Sequence, residues 1–99
     1  MFTAKKESYW RNSDSVITLR NEGIHKELLV SGRNAEADAE VIADAINKAV
    51  EIDPYRRYVV IPFTRKSWNT ESQHLCLIDL FELTIEWKKV SEEQTCGLI

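Results

Sequence analysis

The sequence contains few of the residues that break secondary structure or form disulfides, and it has no long apolar run. Its 99 residues include three glycines, two prolines and two cysteines. No apolar run approaches the length that crosses a bilayer, and Met1–Ser8 has no apolar stretch after its charges. We therefore expect a cytoplasmic protein that does not enter a membrane. Both thiols should be reduced, because Cys76 lies in an apolar run and Cys96 in a polar tail.

The sequence also lacks a strong excess of charge of either sign. Its formal net charge is −3, and its pI is near 5.4. Proteins that grip duplex DNA usually carry a basic excess, and DNA mimics are densely acidic. By contrast, hydrophobic residues make up 43% of the chain, with three each of Trp, Tyr and Phe. We expect one packed domain over residues 1–99, with frayed ends at 1–10 and 91–99.

Recognisable catalytic and metal-binding motifs are missing as well. The two histidines, His25 and His74, have no ligand partners at a metal-binding spacing, and the sequence has no glycine-rich phosphate loop and no nucleophile elbow. Cys76 and His74 lie two apart on a predicted strand, where side chains share a face without aligning for proton transfer. Asp79 is better explained as a turn or bulge residue bonded to backbone than as a functional carboxylate. We predict a non-enzymatic protein with no cofactor and no metal.

The first half of the chain predicts a β-hairpin followed by a helix. Val16–Leu19 and Ile24–Val30 read as strands, and Gly23 supplies the positive φ that a tight turn requires. Asn34 occupies the N-cap position of a helix that should extend to about Ile52, before the Asp53-Pro54 stop.

The predicted helix has a small apolar stripe facing the core. Its members are Ala35, Ala39, Ile42, Ala45, Ile46 and Ala49. Glu36 and Asp38 should complement the positive end of the helix, and Asn47 belongs to the polar residues that cover the remaining surface.

The second half of the chain predicts strands. Tyr58–Ile61 has the pattern of a buried strand, and Pro62 indicates a sheet edge or a bulge. Residues 65–72 read as a polar loop. Leu75–Val90 alternates as strand rather than helix, either as one bent strand or as two strands separated near Asp79. The fold class is therefore α+β, in the order ββαβ(β)β. We expect the hairpin and the C-terminal strands to form an antiparallel sheet, packed in two layers on one long helix.

The start of the helix carries a family resemblance. The run Arg33-Asn34-Ala35-Glu36-Ala37-Asp38-Ala39-Glu40-Val41-Ile42-Ala43-Asp44-Ala45 resembles short bacteriophage and prophage proteins, in which a β-hairpin precedes Asn-Ala-Glu-Ala-Asp-Ala. The resemblance covers residues 16 to 50, about a third of the chain. It implies an origin and a tendency to bind host proteins or nucleic acid, and it supplies no site residue.

The segment 55–68 interleaves cations with aromatic residues and contains the candidate interaction surface. Its candidate residues are Arg56, Arg57, Arg65, Lys66 and Trp68. Such residues can neutralise phosphates and stack on bases, or they can frame a protein interface around an exposed indole. The acidic net charge favours a protein partner, with nucleic acid as the alternative and self-association also open. Trp10, Trp68 and Trp87 are the aromatic residues of most interest.

Overall fold

The computed structural model describes residues 2–8, 14–32 and 34–94. In these residues it has six strands and one helix. The elements are β1 (Thr3–Ser8), β2 (Ser15–Asn21), β3 (Ile24–Val30), α1 (Ala35–Ile52), β4 (Tyr58–Ser67), β5 (Thr70–Asp79) and β6 (Thr84–Gln94).

The strands form two antiparallel sheets of three strands each. The N-terminal sheet has the order β1-β2-β3, and the C-terminal sheet has the order β4-β5-β6. The α+β class and the packing of the helix on strands are confirmed. The strands that we expected in one sheet are divided between two, which share a core cluster with the helix.

The predicted hairpin is present as β2 and β3. Ile17 pairs with Leu28, and the turn consists of Glu22 (φ 34°) and Gly23 (φ 85°). Positive φ at both central residues is the conformation whose twist matches that of the flanking strands. Gly23 adopts this conformation at no steric cost, whereas Glu22 adopts it at the steric cost that a side chain imposes.

The helix follows its predicted limits and most of its predicted stripe, although Ala45 and Ala49 are only partly buried. Ala35, Ala39, Ile42 and Ile46 are completely buried, and the backbone N–H of Asp53 donates to Ala49 O as the helix ends. Asn34 occupies the N-cap position, but its side chain makes no capping hydrogen bond. That part of the prediction is corrected.

Strand β1 was not predicted, because Thr3–Ser8 lies in the segment expected to fray. Asn47 of the helix accounts for its order: Asn47 Oδ1 accepts from Ala4 N, and Asn47 Nδ2 donates to Ala4 O, both at 2.8 Å. Lys6 also contacts Glu36 at 3.1 Å. These bonds satisfy backbone groups on an edge strand that would otherwise remain open. At the other end β6 continues to Gln94, while residues 9, 10 and 95–99 lie outside the described residues.

The predicted polar loop at residues 65–72 is instead the end of a long hairpin. β4 continues to Ser67, β5 begins at Thr70, and Trp68-Asn69 form the turn between them. Pro62 lies in β4, an edge strand, as its missing N–H predicts.

Leu75–Val90 is strand, as its alternation indicates, and it is divided after Asp79 into β5 and β6. The change in register lies elsewhere, between Gln73 and His74. Among the described residues, no helix is both long and apolar enough to span a membrane.

Candidate interaction groove

The five predicted surface residues do not lie together. Arg56 and Arg57 precede β4, whereas Lys66 is near its end and Trp68 is in the following turn. At about 3.3 Å per residue, β4 separates Arg57 from Lys66 by roughly 30 Å. The five residues are therefore spread along the length of the strand rather than gathered at one point.

Three of the four cations are paired with acids of the same chain. Arg65 makes a bidentate contact with Asp38 of the helix, which is 7% exposed. Arg57 binds Asp79, and Lys66 Nζ lies 3.7 Å from Glu71 Oε2. Arg56 is exposed and forms no ion pair with any other residue that the structure describes.

The two tryptophans that the structure describes have different environments. Trp87 is part of a cluster in which the Arg65 guanidinium lies 5.5 Å from its ring centroid and 4.9 Å from that of Phe63. Trp68 is 98% exposed at the hairpin turn. Trp10 lies outside the described residues.

A concavity lies at the opposite end of β4 from Trp68. It has a volume of about 620 Å³ and lies where the β2–β3 turn, the segment 54–56 and the β5–β6 turn meet. Its apolar lining consists of Phe2, Ile24, Pro54, Tyr55, Leu80 and Phe81. We call this concavity the end groove; Asn21, Glu22 and Arg56 complete it.

Two aromatic rings of the end groove are largely open to solvent, Tyr55 at 89% and Phe81 at 64% exposure. Each follows an aspartate that holds its turn. Asp53 Oδ1 accepts from Tyr55 N at 3.1 Å. Asp79 Oδ1 accepts from Phe81 N at 2.9 Å and from Glu82 N at 3.1 Å. The backbone that carries both rings is therefore held before any partner arrives.

Arg57, which precedes β4, is bonded to the turn between β5 and β6 beside the end groove. Its Nε and Nη2 donate to Asp79 at 3.2 to 3.3 Å, and its guanidinium lies 5.2 Å from the centroid of Phe81. Leu80 N also donates to Arg57 O at 2.7 Å. The hydrogen bond from Arg57 lowers the pKa of Asp79, with the N–H groups of Glu82 and Phe81 acting in the same direction. The same bond raises the pKa of Arg57.

The sequence identified part of this groove. Tyr55 and Arg56 lie in the aromatic and basic segment, and the prediction of Asp79 as a turn residue bonded to backbone is confirmed. Phe81 was expected to continue a strand and was not recognised as a site residue. The Asp53-Pro54 and Asp79 turns are the available signals, but only the tertiary structure brings them together.

The geometry of the described residues does not support a cysteine nucleophile or a metal site. Cys76 is completely buried, and burial raises the pKa of its thiol to about 12. At neutral pH it therefore carries a proton and is not the thiolate that acts as a nucleophile. Within the described residues, no group of three or more His, Cys, Asp or Glu side chains could hold a metal ion.

Comparisons with protein-family models, with curated proteins and with solved structures found no match for this chain.

Proposed function

We propose that this protein is a non-enzymatic accessory protein that binds a protein partner through the end groove. The observation that carries the proposal is the pair of exposed rings, Tyr55 and Phe81, each held on a hydrogen-bonded turn beside the concavity. Exposed aromatic residues at a preorganised surface are typical anchors of protein interfaces, because little conformational entropy is lost when they bind.

The lining of the end groove suggests the chemistry of the partner. Ile24, which is 45% exposed, and the half-buried Phe2 offer apolar surface to an aliphatic or aromatic side chain. Arg56 is free to meet a carboxylate, since it has no ion pair with another described residue. The expected ligand is therefore a protein segment with an apolar anchor next to an acidic residue.

The ion pairs weigh against nucleic acid as the partner. A phosphate path needs several cations whose charge is available, and here Arg57, Arg65 and Lys66 each contact an acid of their own chain. We place this binding in the cytoplasm, that of a bacterial host if the chain is phage-borne, as the resemblance of residues 16–50 to short bacteriophage and prophage proteins implies.

The test compares a double aromatic substitution in the end groove with a single aromatic substitution outside it. Wild-type protein, the double variant Tyr55→Ser/Phe81→Ser and the control Trp68→Ser are used to capture partners under nuclease treatment. A captured protein is then purified and titrated against each form by calorimetry. We expect the double variant to bind at least about tenfold more weakly, whereas Trp68→Ser binds like wild type.

Other results would contradict the proposal in recognisable ways. Loss of binding in Trp68→Ser alone would move the site to the hairpin turn. Salt-sensitive retention of short oligonucleotides by the wild type, weakened when the exposed Arg56 and Lys66 are changed to Gln in a variant that keeps its circular dichroism spectrum, would establish nucleic acid as the partner.

A further inference from the structure

The C-terminal sheet has a second surface whose composition is independent of the end groove. Residues alternate between its two faces, and one face packs towards the helix: Val59, Cys76 and Ile78 belong to the buried core. The other face carries Val60, which is 54% exposed, and the half-buried Leu75 and Leu77. We call this second surface the outer face.

The outer face has a regular grid at its centre. In one row Val60 of β4 pairs with Leu77 of β5, which pairs with Glu86 of β6. In the next row Pro62 pairs with Leu75, which pairs with Lys88. Two of the three strands thus contribute apolar side chains, and the third contributes one charge of each sign. A shallow concavity of about 250 Å³ lies on this grid.

We propose that the outer face is the interface of a homodimer. In this dimer the two-fold axis lies between the stacked sheets and runs across the strands, parallel to the two rows and midway between them. A rotation about this axis brings each row opposite the other row of the second copy. This rotation places Glu86 opposite Lys88 of the second copy and Lys88 opposite its Glu86. It also places Leu75 opposite Leu77, and Val60 opposite Pro62.

The geometry satisfies the requirements of an isologous interface. Every contact occurs twice, as two-fold symmetry demands. The apolar rows are removed from water while the charges pair at their border, and two sheets stack about 10 Å apart with their twist skewing the strands by about 30°. A partner of unrelated sequence would have to supply the same alternation of charge at the same spacing, whereas a second copy carries it already.

The size of the outer face indicates a weak dimer. Ten-residue strands give a face about 33 Å long and, for three strands, about 14 Å wide. The two copies would bury about 900 Å² in total, below the roughly 1,200 Å² at which stable specific interfaces begin, so the measurement must cover micromolar to millimolar protein.

Charge reversal provides the test, with sedimentation equilibrium on the full chain as the measurement. Lys88→Glu should weaken dimerisation at least tenfold, because Glu86 would then face a glutamate across the interface. Glu86→Lys should do the same by opposing two cations. The double variant Glu86→Lys/Lys88→Glu should restore dimerisation, since each pair is re-formed with its signs exchanged.

Lys48→Glu on the exposed side of the helix is the matched control, and it should leave the association unchanged. Circular dichroism of every variant checks that the fold is retained. A wild-type protein that stays monomeric to millimolar concentration would overturn the proposal. So would a dimer that is indifferent to Lys88→Glu, or a double variant that fails to recover.

Discussion

Arg65 of β4 and Asp38 of the helix form a bidentate ion pair that joins the helix to the C-terminal sheet. Arg65 Nη1 lies 3.2 Å from Asp38 Oδ1, and Nη2 contacts Oδ2. The guanidinium also lies over the rings of Phe63 and Trp87. Asp38 was expected to complement the helix dipole at the surface, and Arg65 to contact a partner. Their pairing instead places an opposite charge beside a nearly buried carboxylate.

Removing the guanidinium should therefore destabilise the protein. We expect Arg65→Gln to lower the free energy of unfolding by about 2 kcal/mol, less than for a fully buried pair because Arg65 is partly exposed. Urea titration provides the measurement. Lys66→Gln, which breaks an exposed pair, should cost under about 0.5 kcal/mol. Equal costs for the two variants would contradict a structural role for Arg65.

The helix face can be tested by a pair of charge changes. Ile46 is completely buried, so Ile46→Asp places an unpaired charge in the core and should cost at least about 3 kcal/mol, enough to unfold a marginal domain. Glu40 is exposed, and Glu40→Gln should stay within about 0.5 kcal/mol of wild type. Similar melting temperatures for the two variants would show that the helix faces the other way.

The attachment of β1 depends on Asn47. Because Asn47→Ala removes both hydrogen bonds to Ala4, amide exchange at Ala4 should become roughly tenfold faster, equivalent to a loss of about 1.4 kcal/mol locally. Native-state hydrogen exchange measures this effect. Asp44→Ala, at an exposed position on the same helix, is the control. Unchanged exchange at Ala4 in Asn47→Ala would mean that pairing with β2 alone holds the strand.

Burial should make Cys76 unreactive in the folded protein. In a Cys96→Ser background, where Cys76 is the only thiol, we expect a disulfide reagent at pH 8 to react at least about a hundredfold more slowly than in denaturant. The raised folded pKa, about 12, favours the folded state fully below the unfolded pKa of about 8.5. This contribution is lost as pH rises towards the folded value. Comparable rates in both states would contradict the burial.

The turn at Asp79 should respond to acid. The pKa of Asp79 is lowered in the fold, chiefly by its hydrogen bond from Arg57, so its contribution to stability is present above the unfolded pKa of about 3.9. It is lost as pH falls through the lower folded pKa. Asp79→Asn should therefore melt below wild type at pH 7, and the difference should shrink at strongly acidic pH. Asp44→Asn is the control, and a difference independent of pH would contradict this role.

Local patterns predicted the features that neighbouring residues decide. The alanine and isoleucine stripe predicts the helix, and Gly23 predicts the turn between β2 and β3. The missing N–H of Pro62 predicts that β4 is an edge strand. The alternation after Leu75 favours strand over helix. In each case the physical cause lies within a few residues of the signal.

The features that were missed depend on partners distant in the sequence. The residues of Thr3–Ser8 do not by themselves indicate a strand. The edge of this strand is hydrogen-bonded by Asn47, which is 43 residues from Ala4 in the sequence. The Trp68-Asn69 turn contains no glycine to announce it. The end groove likewise exists only where three separate turns meet.

The sequence by itself thus determined the helix, the β2–β3 hairpin and the cores of the later strands, because backbone preferences and hydrophobic periodicity act locally. Only the tertiary structure decided that the strands form two sheets, that Arg65 binds Asp38, and that Tyr55 and Phe81 border one groove. The physical reason is that ion pairs, edge hydrogen bonds and grooves are made between elements. Their energies depend on which elements come into contact, and local preferences do not specify that contact.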